Sequence, residues 1–256
     1  MLLEVKNLSV KIKKSGKEIV KNISFNMEEN TCLGILGESG SGKSMTCKSI
    51  LGILKENLEA NGEIIFGGRN LLTLKKEESR DIRGKEICMI LQNPMTSFDP
   101  LYTIGNQLLE TFLEHLNINR DEAYKLAVES LEKMRLKDIE EVLKKYSHEL
   151  SGGQLQRVCI ARAISTKPKF IMLDEAVSSL DISTQVEILN LLQELKKSYS
   201  LSYIFVTHDL LTLTYICDSV IFFKEGRIVE KVDSLEKLCE VKDDYSKALL
   251  DAVIEF

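Results

Sequence analysis

An apolar run, Thr31–Leu36, leads directly into Gly37-Glu38-Ser39-Gly40-Ser41-Gly42-Lys43-Ser44, and a helical pattern continues from Lys43 to Leu54. These eight residues fit G-x-x-x-x-G-K-[ST], and no other feature of the chain restricts its fold as strongly. Strand, glycine-rich turn and helix together form the context in which this spacing has a mechanism. Glycines and small residues let backbone N–H groups turn inward around phosphate oxygens, and the helix N-terminus adds a partial positive charge. Lys43 can then reach the β- and γ-phosphates, and the Ser44 hydroxyl can ligate Mg²⁺. A turn that binds nothing has no need of the Lys-Ser pair. The apolar run does not alternate, so it suits a strand buried on both faces of a parallel sheet.

A second acidic element matches this loop. Phe170-Ile171-Met172-Leu173 is a buried-strand pattern ending in Asp174 and Glu175. Taken alone, it could be a strand that ends in solvated acids. Downstream of a phosphate loop, Asp174 is expected to orient Mg²⁺ through water, and Glu175 to act as general base on a water in line with the γ-phosphate.

Strand and helix signals alternate along the rest of the chain. Leu2–Val5, Leu8–Ile12 and Ile19–Met27 read as short antiparallel strands, and Glu63–Phe66, Ile87–Leu91, Tyr203–Val206 and Val220–Phe223 as further strands. From Thr103 to Leu143 the period becomes helical, with Leu108, Leu109, Phe112, Leu113 and Leu116 spaced three and four apart, and Gln185–Lys197 is a further helix. The predicted fold is α/β: a P-loop NTPase core with a mostly parallel sheet, an antiparallel β edge and an inserted helical subdomain. The charged segment after Gly226 reads as a short peripheral tail.

Composition excludes several classes. Among 256 residues the formal net charge is −5, with no Trp and 6% aromatics, which disfavours a phosphate-backbone binder or a base-stacking platform. No stretch reaches the ~20 apolar residues of a membrane span. Met1-Leu2-Leu3-Glu4-Val5-Lys6 lacks the apolar core of a signal peptide. The six cysteines contain no C-x-x-C pair and most lie in apolar runs, so buried reduced thiols in a cytosolic chain are expected.

Leu150-Ser151-Gly152-Gly153-Gln154 narrows the class further. By itself Ser151 and Gln154 could be a helix cap. With the loop and the acidic strand, the chain resembles the ATP-binding subunits of ABC transporters over residues 2 to about 230. That resemblance implies ATP and Mg²⁺ as ligands. It implies that Ser151, Gly152, Gly153 and Gln154 face the nucleotide of an opposite subunit. Gln92 resembles the Q-loop glutamine that touches Mg²⁺ and the membrane partner, Ser179-Leu180-Asp181 the D-loop, and His208 the switch histidine on the γ-phosphate. His115 and His148 lack such a context, and His115 reads as structural. Ile12 stands where the family often places an adenine-stacking aromatic, and Ala176-Val177 and Ser179 depart from the usual Pro-Thr and Ala.

The implied layout is one ABC domain over 1–256: a core of 1–94 and 161–229, a helical subdomain of 95–160 and a tail of 230–256. The implied partners are a second, identical or related ATPase subunit, two membrane permease subunits and, indirectly, an extracytoplasmic binding protein, at the cytoplasmic face of the membrane and with no nucleic acid. The stretch Leu91–Leu101 is similar to peptide and nickel importers. Ser44-Met45-Thr46-Cys47 and Leu51-Gly52-Ile53-Leu54 are most similar to nickel-import subunits, as is the absence of a long cysteine-bearing extension after Phe256. Nickel or a nickel chelate is therefore the first expectation for cargo and peptides the second. A soluble ABC-type ATPase acting on DNA or ribosomes and a P-loop kinase are the other classes. The first usually carries basic arms or coiled coils, and the second has no use for L-S-G-G-Q.

Overall fold

A computed structural model describes residues 1–254, which form two compact units: Met1–Ser79 with the chain from Ser200 on, and Arg80–Tyr199. In the first unit the opening strand β1 (Leu3–Ile12) is a single ten-residue strand instead of two short ones. The break expected between Val5 and Leu8 is a bulge: Asn7 takes a φ of 50° and the pairing shifts register there. Asn tolerates this left-handed geometry. Opposite it, a Cβ on Gly62 would come within 2.6 Å of the Asn7 carbonyl, so only glycine fits. β2 (Glu18–Met27) and β4 (Leu58–Phe66) pair antiparallel with β1 on either side, and β5 (Arg69–Asn70) adds to β4. This is the antiparallel edge that alternation predicted, although β4 starts five residues before Glu63.

The strand β3 (Cys32–Leu36) is buried at every position, as its unalternated composition requires. Helix α1 (Lys43–Leu51) follows the loop and stops earlier than expected, because Gly52 takes a φ of 67° as a left-handed C-cap. Short helix α2 (Lys76–Ile82) comes next. From the far end of the chain, β8 (Ser202–Thr207) and β9 (Ser219–Lys224) flank β3 in parallel on its two sides, with α8 (Leu210–Ile216) between them in sequence.

The segment after Gly226 is not a bare tail. It forms β10 (Arg227–Val232), antiparallel to β9, then a 3₁₀ turn and helix α9 (Asp244–Ile254). The charges of Arg227, Glu230 and Lys231 belong to an edge strand, where charge blocks further pairing without preventing the strand. Val232, Leu238, Val241 and Leu250 anchor the segment as buried residues.

In the second unit, β6 (Ile87–Ile90) pairs in parallel with β7 (Phe170–Asp174). Between them run α3 (Ile104–His115), α4 (Arg120–Lys133), α5 (Ile139–Lys144) and α6 (Gly152–Ser165), and α7 (Ile182–Tyr199) follows β7. Thr103 caps α3, and Asn119 with Glu122 forms a capping box on α4. The buried stripe of α3 is Ile104, Leu108, Leu109 and Phe112, whereas Leu113 faces out at 39% exposure. Leu113 matched the apolar period by spacing but lies one position past the buried face.

Candidate functional site

The phosphate loop is bent by its glycines. Gly37 lies so close to β9 that a Cβ would sit 2.1 Å from the Phe223 carbonyl, and Gly42, at φ 112°, opens helix α1. Lys43 is 3% exposed. Its ammonium donates to the carbonyls of Gly37 and Glu38, each at 2.7 Å, which turns it back across the loop. The Ser41 hydroxyl is buried without a hydrogen-bond partner. A buried orphan hydroxyl is costly, and one inside a glycine-rich loop at a helix N-terminus is suited to a phosphate oxygen. Glu38, Ser39 and Gly40 are exposed, so the loop is open to a ligand.

The same unit carries His208. β3 and β8 are parallel neighbours, with Leu36 opposite Thr207. The loop that follows Leu36 and the histidine that follows Thr207 therefore leave adjacent strands at one edge, strands about 4.8 Å apart. His208 is exposed, and the residue after it, Asp209, caps α8 by accepting from the Leu211 N–H at 2.9 Å. Ile12 is half-buried at the end of β1, opposite Leu58.

In the second unit β6 and β7 repeat this arrangement. Ile90 pairs with Leu173, so Gln92 and the pair Asp174–Glu175 emerge at one edge. Asp174 is buried at 6% exposure. Glu175 takes a φ of 51°, unusual for a non-glycine residue, at the point where β7 ends. Its carboxylate accepts from the Gln92 side-chain amide at 2.9 Å, and Ser178 donates to its backbone carbonyl at 2.9 Å. Ser179 donates to the Gln92 carbonyl at 3.4 Å, joining the D-loop stretch to the same cluster.

Ser151 caps α6. Its hydroxyl accepts from the Gln154 N–H at 3.2 Å, and the Gln154 side-chain oxygen accepts from the Ser151 N–H at 3.0 Å. Ser151 and Gly152 are nevertheless exposed. A Cβ on Gly153 would lie 2.7 Å from the Thr184 methyl group, so α6 packs against the first turn of α7 only with glycine there. Asp181 caps α7. Hydrogen bonds from the Ser183 hydroxyl, the Thr184 N–H and the Thr184 hydroxyl hold its carboxyl well below the usual carboxylate range.

Ser44, Asp174 and the side-chain oxygen of Gln92 are hard oxygen donors of the kind Mg²⁺ prefers. The described residues hold no cluster of three His, Cys, Asp or Glu that would bind a metal through protein ligands alone. Sequence reasoning missed Tyr245, whose hydroxyl accepts from the Glu38 N–H in the loop at 3.1 Å. It also missed Arg162, which lies over the Phe98 ring at 4.3 Å and donates to the Ser97 carbonyl. Neither lies in a local motif, and both act across long sequence separations.

A phosphate loop on a buried parallel strand, an acid-ended strand and a capped glycine-pair helix define an ATP-binding cassette of the mixed α/β kind. The chain matches the ABC transporter family over residues 20–178, and it belongs to that family. It is 39% identical over 249 residues to the metal-staphylopine import system ATP-binding protein CntD of Staphylococcus aureus, covering 97% of this chain and 92% of that one. It is 37% identical over 254 residues to the oligopeptide transport ATP-binding protein OppD of Escherichia coli, covering 98% of this chain and 75% of that one. A solved dimeric ATP-binding cassette in a post-hydrolysis state, bound to ADP and Pi, aligns with a TM-score of 0.79 at 28% identity over 90% of this chain and 97% of the other. Among the described residues no helix is long and apolar enough to cross a membrane.

Proposed function

We propose that this chain is the ATP-binding subunit of an importer, hydrolysing ATP to ADP and phosphate to drive uptake of nickel or a nickel chelate through membrane permeases. The hydrolysis reading rests on the Glu175 carboxylate, fixed by the Gln92 amide beside the buried Asp174. A phosphoryl-transfer transition state needs positioning and charge more than covalent chemistry. Lys43 and the loop amides hold the phosphates, and the Ser41 hydroxyl gains a partner there. When bound, Mg²⁺ neutralises charge on the phosphate oxygens, held by Ser44, Asp174 and Gln92. Glu175 takes the proton of the attacking water. The hydrogen bond from Gln92 aims its carboxylate. His208 holds the γ-phosphate. Ser151, Gly152, Gly153 and Gln154, with Asp181, serve the nucleotide of a second ATPase subunit across a sandwich dimer, and Ile12 lies against the adenine.

On this reading the core comprises 1–94 and 161–229, the helical subdomain 95–160 and the C-terminal segment 230–256. The subunit sits peripherally on the cytoplasmic face of the membrane, with two permeases and, indirectly, an extracytoplasmic binding protein. The likeness to CntD across almost the whole chain supports a metal-chelate cargo. The likeness to OppD favours oligopeptides as the second reading. Uptake in a deletion strain separates the two. Loss of radioactive nickel uptake, restored by the wild-type gene and not by Lys43→Ala, is the expected result. Loss of labelled tripeptide uptake with nickel uptake intact assigns the peptide cargo, and retention of both overturns the import reading.

A further inference from the structure

The outer side of the phosphate loop is held by the C-terminal segment. Glu230 on β10 accepts from the backbone N–H groups of Lys242 and Asp243, at 2.6 and 3.1 Å, and so fixes the approach to α9. The Asp243 side chain accepts from the N–H groups of Tyr245 and Ser246, at 3.0 and 3.2 Å. This first turn presents the half-buried Tyr245 to the loop, with the Lys224 ammonium over its ring at 4.8 Å. The Tyr245 hydroxyl then accepts from the Glu38 N–H at 3.1 Å.

That N–H shares a peptide unit with the Gly37 carbonyl. The peptide is planar and trans, so its N–H and C=O point in opposite directions. The Gly37 carbonyl accepts from the Lys43 ammonium at 2.7 Å. A single rigid plate therefore lies between Tyr245 on one side and the phosphate-binding Lys43 on the other. If this peptide flipped, its N–H would point at the ammonium, donor against donor, and its carbonyl at the tyrosine. An acceptor at Tyr245 selects the orientation in which Lys43 is held.

We propose that Tyr245 is a positioning residue for the phosphate loop: through the Gly37–Glu38 peptide, the docked C-terminal helix α9 sets where the Lys43 ammonium sits and hence the affinity for ATP. This rests on the reading of the loop as an ATP site. Burial is the largest influence on the Tyr245 hydroxyl and raises its pKa, so it stays neutral and able to accept throughout the physiological range.

Tyr245→Phe keeps the ring and its contact with Lys224 and removes only the oxygen. Loss of one hydrogen bond corresponds to about 2–10-fold in an equilibrium constant. Titration with a fluorescent ATP analogue should show weaker binding by that factor. Steady-state kinetics should show a raised KM with kcat within about twofold, and deuterium should enter the Glu38 amide faster in exchange followed by mass spectrometry. A purely structural tyrosine would lower the melting temperature without this split between KM and kcat. Tyr245→Ala, which also removes the ring, should weaken binding at least as much. Wild-type affinity, KM and Glu38 exchange in Tyr245→Phe overturn the proposal. A wild-type chain that binds no ATP overturns the ATPase reading itself, so the two failures are distinct.

Discussion

Glu175 combines a backbone at φ 51° with a carboxylate tied to Gln92. Holding a non-glycine residue there costs on the order of 1 kcal/mol, and such strain persists where the surroundings over-determine it. Glu175→Gln preserves the side-chain shape and removes the carboxylate proposed as the base. ATP should still bind, while phosphate release should fall by about 10²–10⁴-fold; near-normal turnover would remove Glu175 from that role. Ile12 gives the second prediction at this scale. A stacked aromatic contributes roughly 1–3 kcal/mol per base in nucleic-acid binders, and isoleucine lacks the π-face. Ile12→Tyr should tighten ATP binding by up to about tenfold. Unchanged or weaker affinity in the same titration would place the adenine elsewhere.

At the level of elements, one substitution can separate the observed capping role of Ser151 on α6 from the cross-dimer role proposed for it. Ser151 accepts from the Gln154 N–H through its hydroxyl oxygen, and on the proposed reading its hydroxyl proton is donated to the nucleotide of the second subunit. Aspartate caps a helix as well as serine does and suits the positive end of the helix dipole, but it has no proton to donate and repels phosphate. Ser151→Asp should therefore leave the melting temperature and ATP affinity of the isolated subunit unchanged while abolishing ATP-dependent dimerisation in analytical ultracentrifugation. Intact dimerisation and hydrolysis would contradict a shared site. The cap, the loop and the acid-ended strand were legible in the sequence because each is written in consecutive residues. The unbroken β1 was not, because its continuity depends on Gly62 lying opposite Asn7. The C-terminal segment was not, because its charges are those of an edge strand and its anchors, Leu238 and Leu250, lie among charged residues such as Lys237, Glu240 and Asp251. Tyr245 gave no local signal, since its partner lies 207 residues away.

For the molecule as a whole, His115 links stability to pH. Burial lowers its pKa below the ordinary histidine value, with Lys85 and Arg80 adding to the shift and Glu114 opposing it. Gly84, at φ 77°, faces the ring so closely that a Cβ would lie 2.6 Å from the imidazole nitrogen. The unfolded chain therefore binds this proton more readily than the folded one. The contribution of neutral His115 is complete above about pH 6.5 and is lost as the pH falls below that value. The melting temperature should drop between pH 7.5 and 5.5, and His115→Gln should reduce that drop. An equal drop in both proteins would assign the effect to other groups.

The first unit is also built from the two ends of the chain. Both strands beside β3 come from the far end, since β8 begins only at Ser202 and β9 at Ser219. A ribosome adding roughly 5–20 residues per second finishes the phosphate loop about ten to thirty seconds before it supplies the strands that hold β3. Throughout that interval the nascent chain carries the entire loop sequence with no sheet to shape it. The buried run of β3 must wait unpaired, and nucleotide can be held only after synthesis is nearly over.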